Sequence, residues 1–472
     1  MTLRLPRLLS LLWATAIWIA GCEAEPPAAV APRSPSGPIL LVAVDGLEWN
    51  VLSPLLADGK LPRIEQLMNR GLYGLLETYQ PTSSPVIWTT VATGKPAEEH
   101  GILSFAYRDS EGQLGLFDNR HRTTKAIWNI ASDYGRSVAT VGWWMTYPVE
   151  EIHGVMVAQT NTTAQLDFSG GRNIWKGSLQ RGIPGQVYPP TRQNEMIHIL
   201  ERTQDRIPQI TSAIFGLDAT LPADQTRLLE RRLWDNCLWA FRADATYLEI
   251  ATRLLREEPN YDLTMLYLGG SDVVGHRFWR YREPELYADR PDSGTVAQFG
   301  RVIPDYYRFV DAALGELMSA LPPDGTLIAI SDHGMGPVNQ DATFGSDDPP
   351  EDVNSGHHLD APPGVLIAAG PRVARAAYSA APGALGREEL MRLGSVYDIA
   401  PTLLQGLGLP LAEDMRGQPL AAIFGAANDD SPERVPTHDT EEFRASRPTT
   451  PRWAPDEAER IEQLRALGYV GD

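Results

Sequence analysis

The residues of this chain that could do chemistry are aspartates, histidines and one serine in well-separated segments. Asp and His side chains supply the oxygen and nitrogen ligands that Zn²⁺ prefers, with Mn²⁺ a less suitable occupant. A serine hydroxyl beside such a metal becomes a strong nucleophile at neutral pH. The candidates lie in Gly-rich turns, at or just after apolar runs of strand length: Asp45, Ser84, Asp272, His276, Asp332, His333 and either His357 or His358. They can form one site only if neighbouring strands bring them to one edge of a sheet.

Two segments pair a carboxylate with an imidazole. Asp332 and His333 follow an apolar strand and precede two glycines, which allow the backbone to turn tightly. Asp272 and His276 are four residues apart, so both face the same way if a helical turn begins at Ser271. The alternative interpretations are a polar turn at the strand end, and a capping Asp with a surface His.

The remaining candidates are less distinctive by residue type alone. Asp45 ends an apolar run in an Asp-Gly turn, as many strands do. His357 and His358 are neighbours on an extended segment and should point in opposite directions, so we expect one ligand and not two. Ser84 precedes Pro85 and an apolar segment, which would place its hydroxyl near a helix N-terminus. Composition alone favours an ordinary N-cap there.

Continuous apolar runs indicate the strands that would position these side chains. Such runs are typical of strands buried on both faces of a parallel sheet, and they occur at Ile39–Val44, Val138–Val141, Leu263–Leu268, Leu327–Ile330 and Val365–Ala369. Helical patterns lie between them. The sequence therefore predicts a three-layer α/β/α sandwich with a central, mostly parallel sheet.

The predicted catalytic domain covers residues 38–425, with a cap inserted at about residues 158–258. The cap contains a long amphipathic stretch from Thr226 to Arg256. Residues 426–472 are predicted to be a C-terminal arm that ends in a short helix.

The N-terminus predicts export and a lipid anchor. Residues 1–22 have two arginines, an apolar run too short to span a membrane with confidence, and small residues before Cys22. This resembles a bacterial lipoprotein signal in which Cys22 is lipidated, with residues 23–37 as a Pro/Ala-rich tether. We expect a protein that faces the periplasm, on the outer membrane, or the cell surface. Cys237 is the only other cysteine and is expected to be a core residue.

The charge of the chain limits its partners. Its 472 residues carry a formal net charge of -19. A nucleic-acid-binding surface needs a basic footprint, so none is expected. A phosphate ester would meet a repulsive field, and bound cations would have to supply local positive charge.

Together, the ordered motifs resemble the alkaline phosphatase superfamily, and among its branches the type I phosphodiesterase/nucleotide pyrophosphatase group. The resemblance rests on Asp45, on Ser84 counted back from His100-Gly101-Ile102, and on the Asp272/His276, Ser331-Asp332-His333-Gly334 and Gly356-x-His358 elements. It implies a phosphoric ester hydrolase with two metal ions and a serine nucleophile. Asp45, Asp332 and His333 would hold one metal, Asp272, His276 and His358 the other, and Ser84 would lie between them.

The sequence also departs from related patterns. Trp88 stands where sulfatases have an arginine after their nucleophile, which makes sulfatase chemistry an unsuitable interpretation. Phe105 stands where the eukaryotic nucleotide pyrophosphatases have an asparagine. Two alternatives to hydrolysis remain: a phospho-headgroup transferase of the same fold, and a non-catalytic surface lipoprotein.

Overall fold

The computed structural model describes residues 34–108, 114–159, 179, 184–215, 228–257, 260–338, 355–358, 362–378, 380–425 and 433–447. The signal segment with Cys22, almost all of the tether and the predicted terminal helix lie outside these residues.

The strands of the described residues are, in chain order, β1 (Ile39–Val44), β2 (Leu72–Glu77), β3 (Ala106–Arg108), β4 (Leu114–Leu116), β5 (Val138–Val141), β6 (Gly154–Val157), β7 (Val187–Tyr188), β8 (Leu263–Leu268), β9 (Thr326–Ile330), β10 (Gly336–Pro337), β11 (Gly356–His357), β12 (Gly364–Ala369), β13 (Arg392–Ser395), β14 (Leu411–Ala412) and β15 (Arg434–Val435).

The α-helices are α1 (Trp49–Ala57), α2 (Pro62–Arg70), α3 (Ser84–Thr93), α4 (Ala97–His100), α5 (Ile127–Asp133), α6 (Gln193–Gln204), α7 (Ile207–Phe215), α8 (Leu228–Leu255), α9 (Gly270–Arg282), α10 (Ser293–Phe299), α11 (Val302–Ala320), α12 (Ile399–Gly406), α13 (Ala421–Phe424) and α14 (Glu441–Ala445). Among the described residues, no helix combines the length and the apolar character needed to cross a membrane.

Nine strands form the central sheet in the order β13-β2-β12-β9-β1-β8-β5-β6-β7. The five strands from β9 to β6 are parallel, whereas β12 runs antiparallel to both of its neighbours and β7 antiparallel to β6. The five predicted apolar runs are all strands of this sheet. The prediction of a mostly parallel central sheet is therefore confirmed.

The sheet separates two apolar layers, which accounts for the continuous apolar runs. In β1, Leu40, Val42 and Val44 pack into one core cluster, and Ile39, Leu41 and Ala43 into the other. Side chains of a strand alternate between its faces, so a strand covered by helices on both sides must be apolar throughout. The first cluster includes residues of α2, α8 and α11, and the second includes residues of α3, α5 and α12.

The described parts of the predicted cap and C-terminal arm contact this core directly. β7 extends the sheet beyond β6, and Phe241 of α8 stacks on Tyr306 of α11. In the arm, Asp439 pairs with the buried Lys95 at 2.7 Å.

The carboxyl ends of the parallel strands face one edge of the sheet, where ligand sites of open α/β sheets form. The chain leaves β1 at Asp45, β9 at Ser331 and β8 at Gly269. The sheet thus places the predicted site residues side by side.

Candidate functional site

The carboxylates and imidazoles predicted from the sequence meet at this edge. Two groups bring ligand atoms within 4.8 Å of one another: Asp45 with Asp332 and His333, and Asp272 with His333 and His358. His276 belongs to neither group, but its Nε2 atom lies 3.4 Å from Asp272 Oδ1 on the same face of α9. His357 also lies outside both groups, which are drawn from the described residues.

The atoms at the centre of this cluster are buried and lack hydrogen-bond partners among the described residues. Such orphaned groups are uncommon in proteins and call for an explanation, such as a bound ion. They are Asp45 Oδ1, Asp272 Oδ1, His276 Nε2, Asp332 Oδ2 and His333 Nε2. His333 Nε2 lies 3.4 Å from Asp45 Oδ1 and 3.3 Å from Asp332 Oδ2.

All three histidines use Nδ1 to anchor the ring and present Nε2 to the cluster. His276 Nδ1 donates to the carbonyl of Gly356 at 2.8 Å, and His333 Nδ1 to that of Gly334 at 3.0 Å. His358 Nδ1 lies 3.1 Å from Thr82 Oγ1, which donates its own proton to the carbonyl of His358. The imidazole must therefore donate to Thr82. Histidines that bind metals use their second nitrogen in this way.

Neutral donors orient Asp45. Its Oδ2 atom accepts a hydrogen bond from Tyr267 OH at 2.6 Å and from Trp88 Nε1 at 3.0 Å. This leaves Oδ1 directed at His333. Trp88 comes from α3 and Tyr267 from β8, so the side chain of Asp45 is fixed from two elements.

The protonation states of the cluster follow from burial. Burial, followed by the charge of Asp45, raises the pKa of Asp272 and of Asp332 well above the ordinary range. Burial lowers the pKa of His276 to about 3 and lowers those of His333 and His358 as well. Neutral imidazoles are the form in which histidine binds a metal, and a cation bound here would favour loss of the protons from the crowded carboxyl groups.

Ser84 is the first residue of α3, and Ser83 is its N-cap. Ser84 is buried and lines the same cavity as Asp45 and Asp272. The backbone N–H groups of a helix start favour a developing negative charge. Ser84 thus occupies the position at the start of a helix that the sequence suggested.

Glu48 is a functional contact that the sequence reasoning missed. Its buried carboxylate accepts a hydrogen bond from Met335 N at 3.2 Å and pairs with Arg387 Nη1, also at 3.2 Å. A Cβ at Gly334 would lie 2.2 Å from Glu48 Oε2, so this glycine is needed for the close approach. Burial raises the pKa of Glu48. Glu48 holds the loop after His333, and no local sequence pattern marks it.

Thr82 and Tyr267 were also missed, because nothing in the sequence around them indicates a contact with the site.

Two residues depart from the patterns of related families, Trp88 and Phe105, and both have structural partners. Trp88 binds Asp45, as described above, and Phe105 packs edge-to-face against Trp144 with ring centroids 5.5 Å apart.

The side chains of this cluster fit a divalent metal. Carboxylate oxygens and imidazole nitrogens are the donors of zinc sites, and the orphaned atoms converge on a shared centre. No described lysine or arginine makes an ion pair with Asp45, Asp272 or Asp332. The cluster therefore has the ligands that a cation would need, and no ion pair with a described lysine or arginine occupies its carboxylates.

Comparison with solved structures gives several relatives with low sequence identity. Human ectonucleotide pyrophosphatase/phosphodiesterase 5 is 14% identical, with 82% of this chain and 98% of that chain covered and a TM-score of 0.44. Phosphonoacetate hydrolase from Sinorhizobium meliloti 1021, in complex with phosphonoformate, is 18% identical over 65% of this chain, with a TM-score of 0.38. This chain spans 58% of that hydrolase. BT1596, a 2-O GAG sulfatase, is 12% identical over 85% of this chain and 76% of that one, with a TM-score of 0.46.

A search of curated proteins by sequence gave no match. A family model, described as type I phosphodiesterase/nucleotide pyrophosphatase, matches residues 39–393. This range begins at β1 and ends within β13, so it contains the other eight strands of the central sheet and every residue of the cluster. Members of this family are metal-dependent and act on phosphoric esters. The chain belongs to the type I phosphodiesterase/nucleotide pyrophosphatase family.

Proposed function

We propose that this protein is a metal-dependent phosphoric ester hydrolase of the phosphodiesterase type, with Ser84 as its nucleophile and two divalent metal ions. The observation that carries the proposal is the set of orphaned carboxylate and imidazole atoms that converge beside Ser84. A structural polar cluster would satisfy these atoms internally, because leaving each one buried and unpaired costs about 1–3 kcal/mol.

Asp45, Asp332 and His333 would hold one ion, and Asp272, His276 and His358 the other. His333 also lies within reach of Asp272 and His358, so the two sets adjoin at this residue. Zn²⁺ suits this donor set, with Mn²⁺ the alternative. When bound, the two cations would neutralise the charge that develops on the phosphoryl group.

The protein's own residues bind, orient and attack. Ser84 Oγ attacks the phosphorus in line, the bond to the leaving alcohol breaks, and a phosphoseryl group forms. Water then attacks this group and releases the phosphate product and the serine. The N–H groups at the start of α3, the helix that begins at Ser84, would favour the negative charge that develops during this attack. Trp88 and Tyr267 hold Asp45 in one orientation throughout.

The test is an assay of the full-length protein, purified in detergent, on aryl phosphate monoesters, aryl phosphate diesters and an aryl sulfate. We expect hydrolysis of the phosphate esters, loss of turnover with a chelator, and recovery when Zn²⁺ or Mn²⁺ is returned. Ser84→Ala should lower kcat by at least about 10³-fold, since the nucleophile is absent.

Ser83→Ala is the matched control, because Ser83 is the adjacent serine and precedes the first helical residue. It should keep kcat within a few-fold of the unmodified protein. The nucleophile assignment fails if Ser83→Ala abolishes turnover while Ser84→Ala retains it. Turnover that is insensitive to chelator would remove the metal-dependent mechanism.

We also propose that the enzyme acts outside the cytoplasm on a lipid tether. Support comes from the sequence Ile19-Ala20-Gly21-Cys22 and from the Pro/Ala-rich segment that follows it. In cells fed a labelled fatty acid, the protein should incorporate the label, and Cys22→Ser should not. Label retained by Cys22→Ser would place the lipid elsewhere or show that no lipoprotein signal operates.

A further inference from the structure

The cavity lined by Ser84, Asp45 and Asp272 is also lined by aromatic side chains. Its walls include Trp144 after β5, Tyr267 of β8, and Trp239 and Tyr247 of α8. We call these four residues the aromatic slot. The cavity volume is about 20 Å³, which is space for about one water molecule. A group that enters the slot must therefore be small.

Gln159 supplies the amide group of this wall. Its side chain lines the cavity together with Ser84, and only 6% of the residue is exposed. Its Oε1 atom is buried and accepts no hydrogen bond from any described residue. Leaving a buried carbonyl oxygen unpaired is costly, so such an atom indicates a missing donor.

The backbone that leads into Gln159 is held by hydrogen bonds to three other segments. Gln159 N donates to Thr146 Oγ1 at 3.1 Å. The preceding residue, Ala158, donates to Gln186 O at 2.8 Å and accepts from Tyr247 OH at 3.2 Å. A side chain on such a support loses little conformational entropy when it binds a ligand.

Asp244 is another polar residue of this wall, and both of its carboxylate oxygens have hydrogen-bond partners. Asp244 accepts hydrogen bonds from Gly269 N and Gly270 N, both at 2.9 Å, and from Tyr306 OH. Its carboxylate anchors the start of α9 and has no need of a ligand. The unsatisfied acceptor in the slot is therefore the Gln159 amide, within the described residues.

We propose that Gln159 is a specificity-determining residue that accepts a hydrogen bond from a small donor on the alcohol part of the substrate. The substrate class is a phosphate ester whose alcohol carries a hydroxyl or ammonium group close to the ester oxygen. The donor group, which is about the size of a water molecule, occupies the aromatic slot, and the size of the slot excludes bulkier groups. This inference rests on the proposed function, because it assumes that the ester binds at Ser84.

The test compares 4-nitrophenyl phosphodiesters that differ only in the second alcohol: propyl, 2-hydroxyethyl, 2-aminoethyl and 2-(trimethylammonio)ethyl. The first three have the same number of heavy atoms, so the propyl ester lacks only the donor. The hydroxyethyl ester can also release 4-nitrophenolate by attack of its own hydroxyl on phosphorus, so the rate of the Ser84→Ala protein is subtracted for each ester. The remaining kcat/KM of the full-length protein for the hydroxyethyl or aminoethyl ester should be roughly 10- to 100-fold above that for the propyl ester. The comparison of those two esters identifies which donor the site reads.

Gln159→Met keeps the length of the side chain and removes the acceptor. It should therefore reduce the ratio of kcat/KM for the donor ester to kcat/KM for the propyl ester to about one. Gln159→Glu keeps an acceptor oxygen and should retain the preference, which guards against a general loss of structure in the Met variant. The matched control is Gln405→Met in α12, because Gln405 has another buried amide oxygen without a partner among the described residues and does not line the cavity. It should leave the ratio unchanged.

Three results would overturn the inference: equal kcat/KM for propyl and donor esters, a preference that survives in Gln159→Met, or a preference for the trimethylammonio ester. The last result would mean that the aromatic faces, and not Gln159, read the substrate. Failure to hydrolyse any ester would instead overturn the proposed function, and the inference with it.

Discussion

Replacing Tyr267 by Phe tests whether the hydrogen bonds that orient Asp45 matter for metal binding. The substitution removes one hydroxyl, which lies 2.6 Å from Asp45 Oδ2. It retains the ring, which packs edge-to-face against Trp88 at 5.6 Å and Trp144 at 6.1 Å. The indole of Trp88 still donates to the same oxygen at 3.0 Å. The variant therefore loses one of two donors and little packing.

The expected loss is about tenfold in metal affinity. A hydrogen bond to a charged group contributes about 1.5–3 kcal/mol, and removing a partner of a metal ligand typically costs 10- to 100-fold. Because Trp88 still donates to Asp45, we expect the lower end of the range of affinity loss. A tenfold loss corresponds to about 1.4 kcal/mol of binding free energy. A carboxylate that loses a donor becomes more basic, which favours the cation. We expect the loss of orientation to exceed this gain, because Oδ1 is then no longer directed at His333.

The assay is a titration of metal-free protein with Zn²⁺ against a competing chelator of known affinity. Tyr247→Phe is the control, because its hydroxyl also lines the cavity but donates to the carbonyl of Ala158. It should bind Zn²⁺ within about twofold of the unmodified protein. The reasoning is refuted if a folded Tyr267→Phe protein binds Zn²⁺ as tightly as the unmodified one, or if Tyr247→Phe loses as much affinity.

Two further predictions concern Thr82, beside the cluster, and His100, a buried residue of α4. Thr82→Val removes the hydroxyl that anchors His358 Nδ1, so it should weaken Zn²⁺ binding about tenfold in the same titration. Thr82→Ser keeps a hydroxyl and should retain the affinity of the unmodified protein. Equal affinities for the two variants would contradict this prediction. His100 is fully buried with its pKa lowered to about 3 by burial, so the folded state excludes a proton that the unfolded state binds below about pH 6.5. Its contribution to stability is therefore present above that pH and is lost as the pH falls. The free energy of unfolding, measured with urea, should fall between pH 7.5 and pH 5 by about 2 kcal/mol less in His100→Gln than in the unmodified protein. An equal fall in the two proteins would contradict this prediction.

The sheet could be predicted from the sequence because burial on both faces leaves a simple pattern. The predicted run Leu263–Leu268 is β8 without change, and Leu327–Ile330 is β9 less its first residue. β2, β6, β7 and β13 were not predicted. β13 and β7 lie at the edges of the sheet, and β13 is partly exposed, so an apolar run is not required there. The reversed direction of β12 depends on its pairing with β2 and β9, which no local pattern specifies.

The ligand-type residues could be identified because strand-end turns and the i,i+4 spacing are local signals. Asp272 and His276 share a helix that begins at Gly270, one residue from the expected start. Their supporting contacts could not be identified, because these join distant segments through ordinary residue types. Thr82 and His358 are 276 positions apart, and Asp45 and Tyr267 are 222 apart. A threonine before a serine and a tyrosine in a strand give no sign of such partners.

Under the proposed function, an acidic chain acts on an anionic ester, and the groups that support Asp45 suit this task. Three buried carboxylates lie close together. The charge of Arg277 acts on Asp272, but Arg277 forms no ion pair with it. A lysine or arginine in an ion pair with these carboxylates would relieve their repulsion. Such a cation would also neutralise the charge that attracts a metal and would compete for the same oxygens. The donors to Asp45 are instead an indole and a phenol, which are neutral. In the proposed mechanism, divalent cations would displace any protons that the raised pKa values of Asp272 and Asp332 keep on these carboxyl groups. No side-chain cation of the described residues would compete for the same oxygens, so the positive charge of the bound ions would be available to the phosphoryl group.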